Sequence, residues 1–307
     1  MANIIAIIWD FDKTLISNYM QTPIFEEYGI DASTFWKEVN AFPHELEQKG
    51  IRVNRDTCYL NFLIKYAREG KFKGLNNDKL FEYGKQMSFY EGVPEIFEAT
   101  KAIVESDSKY GKYDIKVEHY IVSTGTAQTI RGSLVKDHVE DIWGCELIDS
   151  VDESGNMVLS EIVYALDNTS KTRALFEINK GVGKRDGVDV NSKLPEEFRR
   201  VKFENMIYIA DGPSDIPAFS LVNKGNGATF AIYPKGDDKA FQQVEQMRKD
   251  GRINMYAEAD YSKGTTAYMW ICNKVKEYAE RIYATEKAKL ERNTSSAPSH
   301  LKPVFTS

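Results

Sequence analysis

Two aspartates near the start of the chain, Asp10 and Asp12, stand where carboxylates can do chemistry. They follow residues 4–9, an apolar run without polar interruption. Such a run is typical of a parallel strand that is buried on both faces. Ligands of open α/β sheets bind outside the carboxyl ends of the strands, so two acids at this point are candidates for reaction or for cation binding. The alternative is that they begin a turn or cap a helix, positions that Asp favours.

Hydroxyl side chains and a glycine follow a second, largely apolar run. Residues 117–122 end in Ser123, Thr124 and Gly125, which predicts a second buried strand with hydroxyls at its carboxyl end. Ser and Thr also cap helices routinely. Both interpretations can hold together, because exposed amides after Ser123 would bind an anion.

A lysine and a pair of acids complete the set of candidate residues. Lys171 follows three good capping residues, 168–170, which places it in the first turn of a helix. A lysine there opposes the helix dipole, and an anion in front of the helix would favour it. A third apolar run, 206–210, ends at Asp211, with Asp215 four residues further on.

The elements that position these residues are strands separated by helices. This order predicts an α/β fold with a doubly wound parallel sheet, whose strands end at one shared edge. Carboxylates gathered at that edge would repel one another and would need a cation. A hard, oxygen-liganded ion such as Mg²⁺ suits them, and no cluster of thiols or imidazoles favours zinc.

The chain divides into a core, an insertion and a tail. Residues 1–15 and 92–292 are predicted to form the Rossmann-like core, and residues 16–91, with helical spacing and many aromatics, a helical domain inserted after the first strand. Residues 145–164 indicate a β-hairpin. The charged segment 181–200 carries no motif that identifies a role, and residues 293–307 are predicted to be a flexible tail.

Composition excludes several classes of protein. The chain has 307 residues, 42% hydrophobic and 28% charged, with a net charge of −6 that gives no sign of nucleic-acid binding. Its 3 cysteines are scattered and odd in number, which fits a reducing compartment better than a disulfide framework. Neither a signal peptide nor a membrane span is indicated, so we expect a cytoplasmic protein.

Four segments, taken in order, resemble the motifs of the haloacid-dehalogenase superfamily. They are DFDKTL at 10–15, IVSTG at 121–125, SKTRALF at 170–176 and ADGPSD at 210–215. The helical insertion between the first two, with EGVPEIFEATK at its exit, is similar to the helical cap of the phosphoserine-phosphatase-like branch. The resemblance implies a Rossmann-like hydrolase core, a cap at 16–91 and a Mg²⁺-dependent phosphatase.

The resemblance also implies roles for individual residues. Asp10 would attack phosphorus and become an aspartyl phosphate, and Asp12 would serve as general acid and then as base. Ser123 and the amides that follow, at Thr124 and Gly125, would hold the phosphate oxygens. Lys171 would neutralise the nucleophile and the phosphoryl group.

The magnesium ligands implied by the resemblance are Asp10, the backbone carbonyl of Asp12, Asp211 and Asp215, the last directly or through water. The expected substrate is a small-molecule phosphate ester, with no nucleic-acid or membrane partner. Its identity and the oligomeric state are not predicted.

Other functions are less well supported by the residues. Asp12 argues against dehalogenase chemistry, and the absence of predicted membrane spans argues against an ion pump. A receiver-like phospho-acceptor module also pairs strand-end acids with Thr and Lys, but it has no helical insertion and no late acidic pair. A catalytically silent binding protein on the same fold is the remaining alternative, and detectable turnover with Mg²⁺ would exclude both.

Overall fold

The structure is a computed structural model that describes residues 3–295, with side chains described through residue 292. The predicted tail, 293–307, lies outside these residues apart from the last backbone positions of the C-terminal helix.

A 7-stranded sheet forms the centre of the molecule, in the order β4-β3-β2-β1-β5-β6-β7. All neighbouring strands are parallel except β3 and β4, which form an antiparallel hairpin. The sheet confirms the predicted α/β class and the predicted hairpin. The strands are β1 Asn3–Trp9, β2 Ile115–Thr126, β3 Asp141–Val151, β4 Met157–Tyr164, β5 Met206–Ala210, β6 Ala228–Tyr233 and β7 Met255–Glu258.

Strand β1 lies between β2 and β5 and is buried on both faces. Ile4, Ala6 and Ile8 belong to one hydrophobic cluster, whereas the alternating residues Ile5, Ile7 and Trp9 belong to the other. Burial of each large side chain contributes about 1.5–3 kcal/mol, so the strand that carries Asp10 at its end is firmly fixed.

Eleven helices surround the sheet within the described residues. They are α1 Thr22–Tyr28, α2 Ala32–Glu47, α3 Cys58–Arg68, α4 Asn77–Gly84, α5 Glu95–Glu105, α6 Ser108–Gly111, α7 Ala127–Gly132, α8 Lys171–Lys180, α9 Ile216–Lys224, α10 Asp238–Lys249 and α11 Thr266–Ser295. Short 3₁₀ helices span Lys136–His138, Glu196–Phe198, Phe203–Asn205 and Pro213–Asp215. None of the described helices is long and apolar enough to cross a membrane.

The insertion contributes helices α1 to α4. Its aromatic side chains pack against one another: the rings of Phe35 and Tyr66 are 5.3 Å apart, and those of Tyr66 and Phe72 are 5.1 Å apart. They belong to the same hydrophobic cluster as one face of β1. Helix α4 packs closely on α7 of the core, where Gly84 and Gly132 allow backbone contact. A Cβ atom on Gly84 would lie 2.1 Å from the carbonyl oxygen of Thr129.

Two elements near the C-terminus are absent from the sequence prediction, α10 and β7. Helix α10 buries only Val244 and Met247, which is too narrow an apolar stripe to be read from the sequence. Strand β7 has 4 residues and only Ala257 is fully buried, so it shows no clear alternation.

A buried histidine fixes the end of β1. The indole Nε1 of Trp9 donates to Nδ1 of His119 over 3.0 Å, and the opposite nitrogen, Nε2, lies 2.9 Å from the hydroxyl of Thr100. That hydroxyl can donate to the carbonyls of Ile96 and Phe97, so it accepts from Nε2. This pattern requires a neutral imidazole, because a proton on Nδ1 would face the indole N–H.

Burial lowers the pKa of His119 from 6.5 to about 3, with smaller contributions in the same direction from the charges of Lys101 and His138. The neutral His119 side chain therefore contributes its full stabilisation above pH 6.5, and this stabilisation is lost as the pH falls toward the pKa of His119 in the folded state.

We predict that the free energy of unfolding of the wild type falls more steeply with acidification than that of His119→Gln. Between about pH 7 and about pH 5 the extra slope should approach 1.4 kcal/mol per pH unit once His titrates in the unfolded chain, at about 6.5. At neutral pH the variant should be about 1–3 kcal/mol less stable, because a Gln amide does not place an acceptor and a donor where the two ring nitrogens meet Trp9 and Thr100. Urea unfolding at several pH values measures the pH slope and the difference in stability at neutral pH. The control is His44→Gln, a substitution of an exposed histidine. Equal slopes for wild type and His119→Gln would contradict this.

Candidate active site

The ammonium group of Lys171 lies at the centre of the site. Its Nζ is 2.9 Å from Oδ1 of Asp10 and 2.6 Å from Oδ1 of Asp215, and the lysine is only 1% exposed. Asp10 follows the end of β1, Lys171 begins α8, and Asp215 ends the 3₁₀ helix after β5. The structure thus brings together three of the residues that the sequence predicts.

Both carboxylate oxygens of Asp215 accept hydrogen bonds. Besides Lys171, its Oδ1 accepts from the hydroxyl of Tyr208 over 2.6 Å, and its Oδ2 accepts from Ser214 over 2.8 Å. Burial would lower the pKa of Lys171, but the charges of Asp10 and Asp215 outweigh it and raise that pKa, so the lysine remains protonated. Asp215 therefore holds Lys171 in place against Asp10.

The loop after β1 is held by its own hydrogen bonds. The hydroxyl of Thr14 donates to Oδ2 of Asp10 over 3.1 Å, and the carbonyl of Thr14 accepts from Tyr261 over 2.7 Å. Lys13 adopts a left-handed backbone conformation, with φ of 56°, which turns the chain back toward the strand. Both oxygens of Asp10 thus have fixed partners.

Three carboxylates at this edge could hold a metal ion. Asp10, Asp211 and Asp215 each offer an oxygen, and these atoms lie within 4.8 Å of one another. Burial raises the pKa of Asp10 to about 6 despite Lys171, and burial with the charges of Asp10 and Asp215 raises that of Asp211 to about 7. An all-oxygen set whose members repel one another fits a hard divalent cation such as Mg²⁺.

Asp12 occupies a different position from these three acids. Its Oδ1 accepts from the backbone N–H of Met20 over 3.1 Å. Burial, followed by the charge of Asp10, raises the pKa of Asp12 well above its usual value. The side chain is therefore disposed to carry a proton, and its carboxylate is not part of the potential metal cluster of Asp10, Asp211 and Asp215.

The residues after Ser123, where the sequence predicts an anion site, belong to strand β2 in the structure. Strand β2 continues to Thr126, so Ser123, Thr124 and Gly125 are strand residues and do not cap α7. The amide of Gly125 donates to Oγ of Ser123 over 3.1 Å, and the amide of Thr126 donates to Sδ of Met20 over 3.1 Å. In this structure the amides of Gly125 and Thr126 therefore already have acceptors, which an anion bound there would have to replace.

Lys171 is the first residue of α8, as predicted, but the predicted capping residues do not cap the helix. The side chain of Ser170 makes no capping hydrogen bond and instead accepts from the amide of Asp167 over 2.7 Å. In this structure the unfavourable position of the lysine in the helix dipole is offset by the carboxylates of Asp10 and Asp215.

The insertion contacts the core beside the site. The hydroxyl of Tyr59, in α3, donates to the carbonyl of Thr124 over 2.8 Å. In the loop before α3, Nδ2 of Asn54 donates to Oδ2 of Asp167 over 2.7 Å. The helical insertion therefore contacts the core at the end of β2 and just before α8.

Three residues that shape the site carried no signal in the sequence: Met20, Tyr59 and Tyr208. Tyr59 and Tyr208 stand in helical and strand patterns that require only apolar side chains, and their hydroxyl contacts depend on the tertiary fold. Met20 lies in a stretch without periodicity.

Comparison with known proteins identifies a relative with a similar sequence and solved structures with a similar fold. No family model matches the chain. An uncharacterized protein of Borreliella burgdorferi is 38% identical over 287 residues, which cover 89% of this chain and 97% of that protein. A HAD family hydrolase from Salmonella enterica serovar Typhi has a TM-score of 0.51 at 16% identity, over 83% of this chain and 67% of that one.

An apo phosphoserine phosphatase matches with a TM-score of 0.48 at 17% identity, over 84% of this chain and 94% of that one. The chain has the fold of the haloacid-dehalogenase hydrolases, and it belongs to the same family as the Borreliella burgdorferi protein.

Proposed function

We propose that the protein is a Mg²⁺-dependent phosphatase that hydrolyses a small-molecule phosphomonoester through an aspartyl phosphate. The observation that carries this proposal is the contact of Lys171 with Asp10 beside Asp211 and Asp215. A buried carboxylate next to a fixed cation and a potential metal site is suited to attack a phosphoryl group.

In the first step an oxygen of Asp10 attacks phosphorus, an O–P bond forms, and the bond from phosphorus to the leaving oxygen breaks. Asp12 gives its proton to that oxygen, for which its raised pKa prepares it. Asp12 then accepts a proton from water, the water oxygen attacks phosphorus, and inorganic phosphate leaves Asp10. Lys171 balances the negative charge near Asp10 throughout.

The cation would be held by Asp10, Asp211, the backbone carbonyl of Asp12, and Asp215 directly or through water. When bound, it offsets the repulsion among the carboxylates and polarises the phosphoryl oxygens. Because the oxygens of Asp215 already accept from Lys171, Tyr208 and Ser214, we favour contact through water for that residue.

Phosphate oxygens would bind at the end of β2, on the hydroxyl of Ser123 and the amides of Thr124 and Gly125. Ser123 is only 1% exposed and Met20 also 1%. Substrate can reach this position only if Met20 gives way, and its thioether is a weak acceptor that a phosphate oxygen readily replaces on the amide of Thr126.

The insertion would act as a lid that excludes water during phosphoryl transfer. The hydrogen bonds from Tyr59 and Asn54 hold it against the core beside the site. A covered site of this kind favours a small molecule over a phosphoprotein.

We predict that the purified protein hydrolyses p-nitrophenyl phosphate with Mg²⁺ and stops when the metal is chelated. Asp211→Asn should require a Mg²⁺ concentration on the order of tenfold or more higher, because one charged ligand is lost. Turnover measured against Mg²⁺ concentration tests this, with Asp238→Asn, an exposed carboxylate of α10, as the matched control. Undiminished turnover after chelation, or an unchanged Mg²⁺ dependence of Asp211→Asn, would overturn the assignment.

For the lid we predict that Tyr59→Phe lowers kcat by roughly threefold to tenfold, because one hydrogen bond that closes the insertion, worth about 0.5–1.5 kcal/mol, is lost. The control is Tyr28→Phe, which removes a hydroxyl that donates to the carbonyl of Lys73 within the insertion. Steady-state kinetics measures kcat, and urea unfolding of the same variants shows whether a lower kcat reflects a general loss of stability. An equal kcat for Tyr59→Phe and Tyr28→Phe would argue against closure at this contact.

A further inference from the structure

A cavity lies at the edge of the sheet opposite Asp10. It has a volume of about 280 Å³ and is lined by Asn3 and Ile4, where β1 begins, and by α11. Asp10 follows the other end of β1, and a strand of seven residues is about 20 Å long. The cavity is therefore separate from the candidate active site.

Cationic side chains dominate the lining of this cavity. They are Arg199, Arg200, Lys202, Arg281 and Lys289. Three of them have a carboxylate partner: Arg200 pairs with Glu118 at 2.6 Å, Lys202 with Glu204 at 3.6 Å, and Lys289 with Glu286 at 2.6 Å.

The other two cations, Arg199 and Arg281, hydrogen-bond only to neutral acceptors among the described residues. Arg199 donates to Oδ1 of Asn179 over 2.8 Å, and its Nε is buried without a partner. Arg281 donates to Oδ1 of Asn205 over 2.8 Å, and its guanidinium lies 4.3 Å from the centre of the Tyr278 ring. Two guanidinium groups that have unused donors and no carboxylate partner among the described residues thus line one cavity.

We propose that this cavity binds a phosphate group, as inorganic phosphate or as part of a small phosphate ester, between Arg199 and Arg281. The planar donors of guanidinium match the oxygens of phosphate, and such charge-assisted hydrogen bonds are stronger than those to neutral acceptors.

Three carboxylates also line the cavity and oppose an anion. Glu204 and Glu286 are paired with Lys202 and Lys289, whereas Glu197 is exposed and has no ion pair among the described residues. Removing its charge should therefore strengthen binding.

The site accounts for the segment 181–200, whose role the sequence leaves open. Nζ of Lys180 donates to the carbonyls of Val190 and Ser192 over 2.6 and 2.8 Å, which holds the segment against the end of α8. The segment ends in Arg199 and Arg200, and both line the cavity together with Arg281 of α11.

The test is a titration of the full chain with inorganic phosphate in the presence of EDTA, followed by NMR of the arginine Nε–Hε groups. Saturable shifts are expected at Arg199 and Arg281, and chloride at equal ionic strength should not produce them. Arg281→Gln should weaken binding about tenfold or more, because a charged hydrogen-bond donor is lost. Glu197→Gln should strengthen it, and Arg248→Gln, on the surface of α10, should leave it unchanged.

The signals report on this cavity itself, so a failure of the proposed phosphatase activity would leave the result intact. The proposal is overturned if neither arginine signal saturates with phosphate, or if chloride produces the same shifts. Equal affinities for wild type, Arg281→Gln and Glu197→Gln would also overturn it. If Arg281→Gln does not fold, the phosphate affinities of the wild type and Glu197→Gln are compared, and equal affinities overturn the proposal.

Discussion

One buried ammonium group joins the elements that form the candidate active site. Lys171 contacts Asp10 and Asp215, and each of the three is less than 10% exposed. Removing these charges from water is costly, and the cost is offset only because each charge has a close partner. Loss of one partner from such a buried group typically destabilises a protein by about 3–5 kcal/mol. The site is therefore also part of what holds β1, α8 and the end of β5 together.

The surrounding hydrogen bonds show how the fold supports this ion group. Tyr208 and Ser214 donate further hydrogen bonds to the carboxylate of Asp215, and Thr14 donates one to that of Asp10. Beneath them, His119 accepts from the indole of Trp9, the residue before Asp10. Lys171 and Thr14, the two residues that contact the carboxylate of Asp10, are each held by a further hydrogen bond, a preorganisation that the proposed phosphoryl transfer would need.

The sequence predicted the residues of the site better than their contacts. Apolar runs located β1, β5 and β6, and the parallel sheet then brought Asp10, Asp211 and Asp215 to one edge. Contacts made by side chains from distant parts of the chain could not be predicted, because periodicity reports burial and not partners. The thioether of Met20 on the amide of Thr126 is one such contact.

The predicted end of strand β2 and the missing prediction of helix α10 differ from the structure for a related reason. Strand β2 continues past Val122 because Thr126 pairs with Cys145 of β3 beyond a bulge, a pairing that depends on another strand. Helix α10 was missed because most of its surface is polar. The division into core and lid, and the roles of Ser123, Thr124 and Gly125, remain predictions.

The central claim is that Asp10, held by Lys171, is the nucleophile. The most direct measurement is rapid mixing of Asp12→Asn with p-nitrophenyl phosphate and Mg²⁺, followed by acid quenching and mass spectrometry of the labelled peptide. The acidic leaving group needs little proton donation, so nitrophenolate should appear in a burst, and the phosphoryl group should be found on Asp10. Asp10→Asn should show neither burst nor label. A phosphoryl group on another residue, or turnover by Asp10→Asn, would contradict the account.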